Sequence, residues 1–187
     1  MNVHPTDDDL MVRIGYGEET AFRLLVERWE RQVFAFLWRM TGNEDDAREL
    51  TQDVFVKVHT HAGRYQPRGI FKSWLFRIAG NQSRSFARRR KIVDWVSFDA
   101  FRHDRELEAP GPDAELMADE TRQQVRAAVA KLPDRQREAL ILRRFHEMSQ
   151  QDIARIMDIT EGAVESLLVR AMSALRGHLI REKKETA

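Results

Sequence analysis

Between Phe71 and Lys91 the chain carries residue types that can hold unstacked nucleic acid. The stretch Phe71-Lys72-Ser73-Trp74-Leu75-Phe76-Arg77-Ile78-Ala79-Gly80-Asn81 runs on into Arg88-Arg89-Arg90-Lys91. From Arg77 to Lys91 there are six basic residues and no acid. Aromatic rings stack on bases, cations neutralise phosphates, and an asparagine amide can hydrogen-bond a base edge. A helix carrying all three could hold a DNA strand whose bases have left the stack. Taken singly, Phe71, Trp74, Leu75 and Ile78 are better read as the core face of an ordinary amphipathic helix. Core packing does not explain the basic run.

A second DNA-binding pattern occupies residues 149–175. Ser149 can cap a helix holding Ile153, Ala154 and Met157, Asp158-Ile159-Thr160 makes a turn, and Glu161 to Leu175 makes a second helix. The small Ala154 allows the helices to cross closely, while Ile159, Val164 and Leu167 fill the angle between them. A turn position often held by glycine is Asp158, a residue that tolerates the left-handed conformation better than most. A plain helical hairpin is the alternative; five template positions matching in order favour a helix-turn-helix. Its second helix would offer Glu161, Ala163, Glu165, Ser166, Val169 and Arg170 to a major groove. Glu165 could accept from a cytosine amino group, and Ser166 could contact a base or a phosphate. Arg135, Arg137, Arg143, Arg144 and Arg176 are candidate phosphate ligands.

The elements that must position these groups are helical nearly throughout. Phe22, Leu25, Val26, Trp29, Val33, Phe36, Leu37 and Met40 recur at three and four, which makes one broad buried face from Glu18 to about Met40. Thr41-Gly42-Asn43 ends that helix, with Gly42 suited to a left-handed cap. A second helix runs from near Asp45 to about His61 on the inner stripe Ala47, Leu50, Thr51, Val54 and Val58. The run Ala62 to Gly69, with one proline and two glycines, breaks the pattern before the basic helix. Periodicity fades from about Val96 to Ala118, where Pro110-Gly111-Pro112 marks a linker. It resumes at Val125, Val129 and Leu132, stops at Pro133, and restarts through Ala139, Leu140 and Leu142.

The 187 residues allow one large or two small domains, and 42% apolar content is enough to build cores. The net charge is only +1, but the charge is segregated. Residues 44–53 hold five acids against one arginine, and residues 94–120 hold nine acids against two. Separate faces for separate partners follow from that pattern. The chain has no cysteine, which excludes disulfides and thiolate metal sites. No apolar run reaches membrane-span length and the polar start is no signal peptide, so a soluble, cytoplasmic protein without membrane insertion is expected.

Taken in order, three blocks resemble bacterial RNA polymerase sigma factors of the extracytoplasmic-function (ECF) subfamily. They are Glu44 to Phe55, Phe71 to Asn81, and Leu132-Pro133 through Leu175. With the opening helix they cover most of residues 8–178. The resemblance implies an all-α protein of two helical domains joined by a flexible acidic linker. Residues 1–95 would be sigma region 2, which binds core polymerase and recognises and melts the −10 element. Residues 96–120 would be the linker, and residues 121–187 would be the region 4 helix-turn-helix that reads the −35 element.

Residue by residue, the likeness assigns contact with the polymerase β′ clamp helices to Asp46, Glu49, Gln52, Asp53 and Phe55. Asp46, Glu49, Asp53 and Val56 fall on one outward stripe, with Gln52 and Phe55 adjoining. It assigns −10 DNA to Tyr65, Gln66, Arg68, Asn81, Arg84, Arg88 and Arg89, with Phe71 and Trp74 as support. It assigns −35 DNA to Arg143, Arg144, Ala163, Glu165, Ser166, Val169 and Arg170. Many relatives carry a cation where Glu165 stands and often an arginine where Leu167 stands. A different promoter preference is therefore expected. The acidic linker would either thread toward the polymerase RNA exit path or serve as a plain spacer. Promoter DNA, core polymerase and an anti-sigma factor are the implied partners.

No enzyme, cofactor or metal is expected. A row of acids along one helix face does not supply the converging oxygens of a Mg²⁺ site, which counts against a nuclease. His59 and His61 lie two apart, too far round a helix to share a metal. The competing class is a free-standing helix-turn-helix regulator. It would need a dimer interface, for which no long apolar stripe is left over.

Overall fold

The computed structural model describes residues 5–96 and 124–185. Residues 97–120 of the expected linker lie outside them. Among the described residues every regular element is helical. α1 spans Asp7–Gly15, α2 Glu19–Thr41, α3 Glu44–His61 and α4 Phe71–Val96, with a 3₁₀ turn at Ala62–Arg64. Residues 124–130 form α5. α6 spans Asp134–Phe145, α7 Gln150–Met157 and α8 Glu161–Glu185.

Local chemistry sets the boundaries. Asn43 caps α3, accepting from the Asp46 amide at 2.9 Å, and Ser149 caps α7, accepting from the Asp152 amide at 3.0 Å. Gly42 closes α2 in the left-handed conformation at φ 70°. Asp158 closes α7 the same way at φ 56°, so an aspartate does take the turn position often given to glycine. α1 was not legible from periodicity. It is held by a reciprocal cap in which Thr6 and Asp9 satisfy each other's backbone amides.

The core starts on α2, where Leu25, Val33, Phe36 and Leu37 are fully buried. α3 meets it with Ala47, Leu50, Val54 and Val58, and α4 with Phe71, Leu75, Phe76 and Ala79. Phe36 and Phe76 cross edge to face at 5.4 Å between centroids. Each fully buried phenylalanine contributes about 1.5–3 kcal/mol.

The same apolar cluster continues into the second block through Ile141, Leu142, Ile153, Ile156 and Val164. α7 lies along α4 and α6 contacts α2, so the two blocks share one core. A smaller cluster joins Val129 and Leu132 to Leu140 and Ala171.

His146 sits at the seam, its ring 4.6 Å from that of Phe76 and 5.8 Å from that of Phe36. Burial, with Arg39 and Lys72 nearby, pulls its imidazole from 6.5 down to about 4. The unfolded chain therefore takes up this proton first as pH falls, and the fold loses stability across that window. The loss is about 3 kcal/mol by pH 4, most of it gained below pH 6. Glu138, whose carboxyl is raised by burial, works in the opposite sense. The histidine's share is isolated as the difference between wild type and His146→Phe. Thermal unfolding at pH 7.5 and pH 5 should show a larger acid penalty for wild type than for the variant.

Candidate nucleic-acid interface

α3 presents Glu49, Gln52 and Val56 to solvent, Val56 being 61% exposed. Asp46 and Asp53 are half-buried because α4 engages both. Arg90 reaches Asp46 at 3.4 Å, and the Gln82 amide donates to Asp53 at 3.2 Å while accepting from Lys57 at 2.8 Å. Phe55 departs from the outward stripe. α3 is packed by α2 on one side and α4 on the other, and the wide arc this buries takes the Phe55 ring into the core.

The segment between α3 and α4 is pinned by a residue that the motifs did not single out. Asp8, on α1, accepts from the Tyr65 hydroxyl at 2.6 Å with one oxygen and from the Gly69 amide at 2.7 Å with the other. Tyr65 is half-buried, edge to face with Trp74 at 5.0 Å and Phe71 at 6.1 Å. Burial, reinforced by Asp8, raises its phenol above the ordinary range. Its ring is thus committed to protein neighbours, whereas Gln66 and Arg68 are exposed and bonded to each other.

Along α4, Asn81, Arg88 and Arg89 are exposed. The Asn81 carbonyl oxygen accepts from Arg84 at 2.6 Å, and Arg88 donates to Ser85 at 3.2 Å. Arg84 differs from the others, since its guanidinium turns inward onto Glu138 of α6, which is fully buried. Burial lifts the Glu138 carboxyl above its ordinary range despite the arginine beside it.

The helix-turn-helix forms over α7 and α8. Ile159 donates back to the Ala154 carbonyl at 3.1 Å, and Thr160 caps α8 by accepting from the Ala163 amide at 3.2 Å. Val164 is fully buried, while Ile159 and Leu167 pack against the core. Glu165, Ser166, Val169 and Arg170 are exposed on one side of α8, with Ala163 half-buried at its start. The Ser166 hydroxyl donates to the Gly162 carbonyl at 3.0 Å, the usual resting partner of a helical serine.

The upstream arginines divide. Arg144 is exposed. Arg143 donates to the Met148 carbonyl at 2.9 Å and Arg135 to the Met157 carbonyl at 3.0 Å. Arg137 is most deeply spent, on the carbonyls of Met40, Ala130 and Leu132 at 2.5–2.9 Å. Carbonyls left over at helix ends and turns attract a guanidinium as a phosphate does. Among the described residues no three acids or histidines come together as a metal site, and no helix is long and apolar enough to cross a membrane.

Comparison with known proteins places these surfaces in a family. The Sigma-70 region 2 model matches residues 25–92 and the Sigma-70 region 4 model matches residues 122–175. The RNA polymerase sigma-H factor of Pseudomonas aeruginosa is 30% identical over 176 residues, covering 90% of this chain and 91% of that protein. The ECF RNA polymerase sigma-E factor of Escherichia coli K12 is 30% identical over 182 residues, covering 94% and 95%. Among solved structures, the sigma factor RpoE in complex with the anti-sigma factor NepR from Bartonella quintana superposes with a TM-score of 0.73 at 26% identity, covering 84% of this chain and 96% of that one. CnrH in complex with the cytosolic domain of CnrY gives 0.66 at 26% identity, covering 94% and 97%.

Replacing Asp8 by Ala should release the 65–69 segment and cost about 1–3 kcal/mol, since two hydrogen bonds to a carboxylate are lost. Amide hydrogen exchange at Tyr65 and Gly69 should quicken while α2 and α3 keep their protection. Unchanged exchange there would mean that the ring packing alone holds the segment.

Proposed function

This chain belongs to the ECF family of RNA polymerase sigma factors, which are transcription initiation factors and not enzymes, and we propose how its surfaces divide that work. Residues 1–95 act as region 2, residues 96–120 as the linker and residues 121–187 as region 4. The exposed row Glu49, Gln52 and Val56 on α3, flanked by Asp46 and Asp53, docks on the basic coiled coil of the polymerase β′ clamp. The observation that carries this reading is that the row faces solvent on a helix whose other sides are packed by α2 and α4.

Capture of the −10 strand falls to Gln66, Arg68, Asn81, Arg84, Arg88 and Arg89. In this assignment Tyr65 supports the surface from beneath, since its hydroxyl and ring are already engaged. No bond is made or broken in the protein. Cations along α4 neutralise phosphates of the separated strand, and the exposed amide of Asn81 is available to a base. Each base held as it unstacks lowers the cost of opening the duplex.

The −35 element is read by α8. Glu165, Ser166, Val169 and Arg170 face the major groove, and Arg144 holds phosphate beside it. Arg143 serves by fixing the turn before α7. An acid at Glu165 disfavours guanine in the facing position and suits a cytosine amino group. The protein works in the cytoplasm, and an anti-sigma factor restrains it. Both structural relatives above were solved in complex with another protein, one of them with an anti-sigma factor.

Glu49→Lys tests the docking surface. The side chain is exposed, so helicity and melting temperature should stay close to wild type. Affinity for purified core polymerase should fall about tenfold or more, because an attractive charge becomes repulsive. Unchanged affinity would remove this row from the interface.

A further inference from the structure

The arch between α3 and α4 is closed by a single carboxylate. Asp8 is half-buried on α1, and it takes the Tyr65 hydroxyl on one oxygen and the Gly69 amide on the other. The acids beside it are spent elsewhere, Asp7 on Arg28 and Asp9 on Thr6. Tyr65 and Gly69 are thereby drawn together, and Gln66, Pro67 and Arg68 stand exposed between them. These residues belong to no regular element, so the shape of the arch rests on its two ends and on Pro67, whose ring holds φ near about −65°. Gly69 sits in the left-handed conformation at φ 67°. Nothing lies within 4 Å of where its Cβ would stand, so the backbone and not the space calls for glycine. α1 meets the chain again just upstream, where a Cβ on Gly15 would come 3.3 Å from the Ala62 carbonyl oxygen.

The exposed side chains of the arch are paired with each other. The Gln66 side-chain carbonyl accepts from the Arg68 guanidinium. A glutamine that pairs with adenine needs that oxygen for the adenine amino group and its own amide for the ring nitrogen. Here the oxygen is turned to a cation, which repels an amino hydrogen. What the pair has left to offer is N–H, from the Gln66 amide and from the rest of the guanidinium. Adjacent donors fit a base edge with two adjacent acceptors. Guanine has such an edge at O6 and N7, and an unpaired cytosine has one at O2 and N3. Adenine and thymine have none.

We propose that this arch is a donor-only reader that selects guanine or cytosine over adenine and thymine at one unpaired position of the −10 strand, with Asp8 as its positioning residue. The proposal rests on the sigma-factor reading for the identity of the strand. Asp8 touches no DNA. It holds the arch in shape before a base arrives, so binding does not have to order the loop. Tyr65 packs edge to face on Trp74 at 5.0 Å, which sets the pinned arch against α4, the helix that carries Asn81.

The test uses the full chain bound to core polymerase. Run-off transcription with the wild type supplies a promoter. A wild type that initiates nowhere refutes the sigma-factor reading and the proposal with it, whereas the binding results judge the proposal alone. Fork probes of that promoter, their −10 strand unpaired, carry each of the four bases at each position in turn, and binding is read by fluorescence anisotropy. One position should favour guanine or cytosine over adenine and thymine by about tenfold, and the probes show which of the two is preferred. Arg68→Ala frees the Gln66 carbonyl and should bring adenine up to parity or above at that position. Asp8→Ala should collapse the preference there toward parity while other positions keep theirs. Asp8→Asn retains an oxygen for Gly69 and an amide that can donate to the Tyr65 hydroxyl, so it should keep the preference. An equal loss of affinity for every base at every position in Asp8→Ala would reduce Asp8 to a structural residue and overturn its positioning role. An adenine or thymine preference at the Arg68-sensitive position, or no such position, would overturn the reader.

Discussion

The Arg84–Glu138 pair is the contact on which the arrangement of the two blocks turns. A carboxylate is expensive to bury, and Glu138 is fully buried. The cost is tolerated because Gly80 leaves room for the acid beside α4 and because Arg84 reaches it from the next turn. The pair joins residues 54 positions apart, across the linker. Apolar contact alone would let α6 and α7 slide along α4. One buried charge pair in one notch fixes their register, as buried polar pairs do in the better-attested cases.

That register explains how α4 can carry three roles on one helix. Phe71, Leu75, Phe76 and Ala79 face the core, and Lys72, Ser73, Gly80 and Arg84 face the second block. Asn81, Arg88 and Arg89 face solvent. Rotating the helix by one residue would put Phe76 in water and a cation in the core. The core face therefore dictates where the other two faces point. The α3 row depends on the same helix, because Arg90 and Gln82 of α4 hold Asp46 and Asp53.

The long helices were legible because each carries an apolar stripe at a period of three to four, and Gly42 marks the end of α2; the Asn43 cap of α3 is seen only in the structure. The helix-turn-helix was legible for the same reason, down to the left-handed Asp158. α1 was not, since its nine residues open with three aspartates and only the Thr6–Asp9 cap announces it. Side-chain allegiance was the weaker part of the sequence reading. An arginine bonds to a phosphate or to a helix-end carbonyl with the same fork, so Arg137 and Arg143 carry no local mark of which they do. Phe55 was placed beside the outward stripe because periodicity reports one buried face, whereas α3 is packed from two sides; Tyr65 was placed by family likeness, which carries no sign of its bond to Asp8. Asp8, Gly80 and Glu138 act through contacts distant in sequence. Gly80 alone left a signal, a helix-weakening residue with no turn to justify it.

The most direct measurement is run-off transcription by purified core RNA polymerase on a fragmented bacterial genome, with and without this protein. Discrete start sites that appear only when the protein is present, each preceded by a shared −35 and −10 pair, are the result this account requires. The same starts with and without it, or none at all while the protein alone shifts specific duplexes, would contradict it and leave a free-standing regulator in its place.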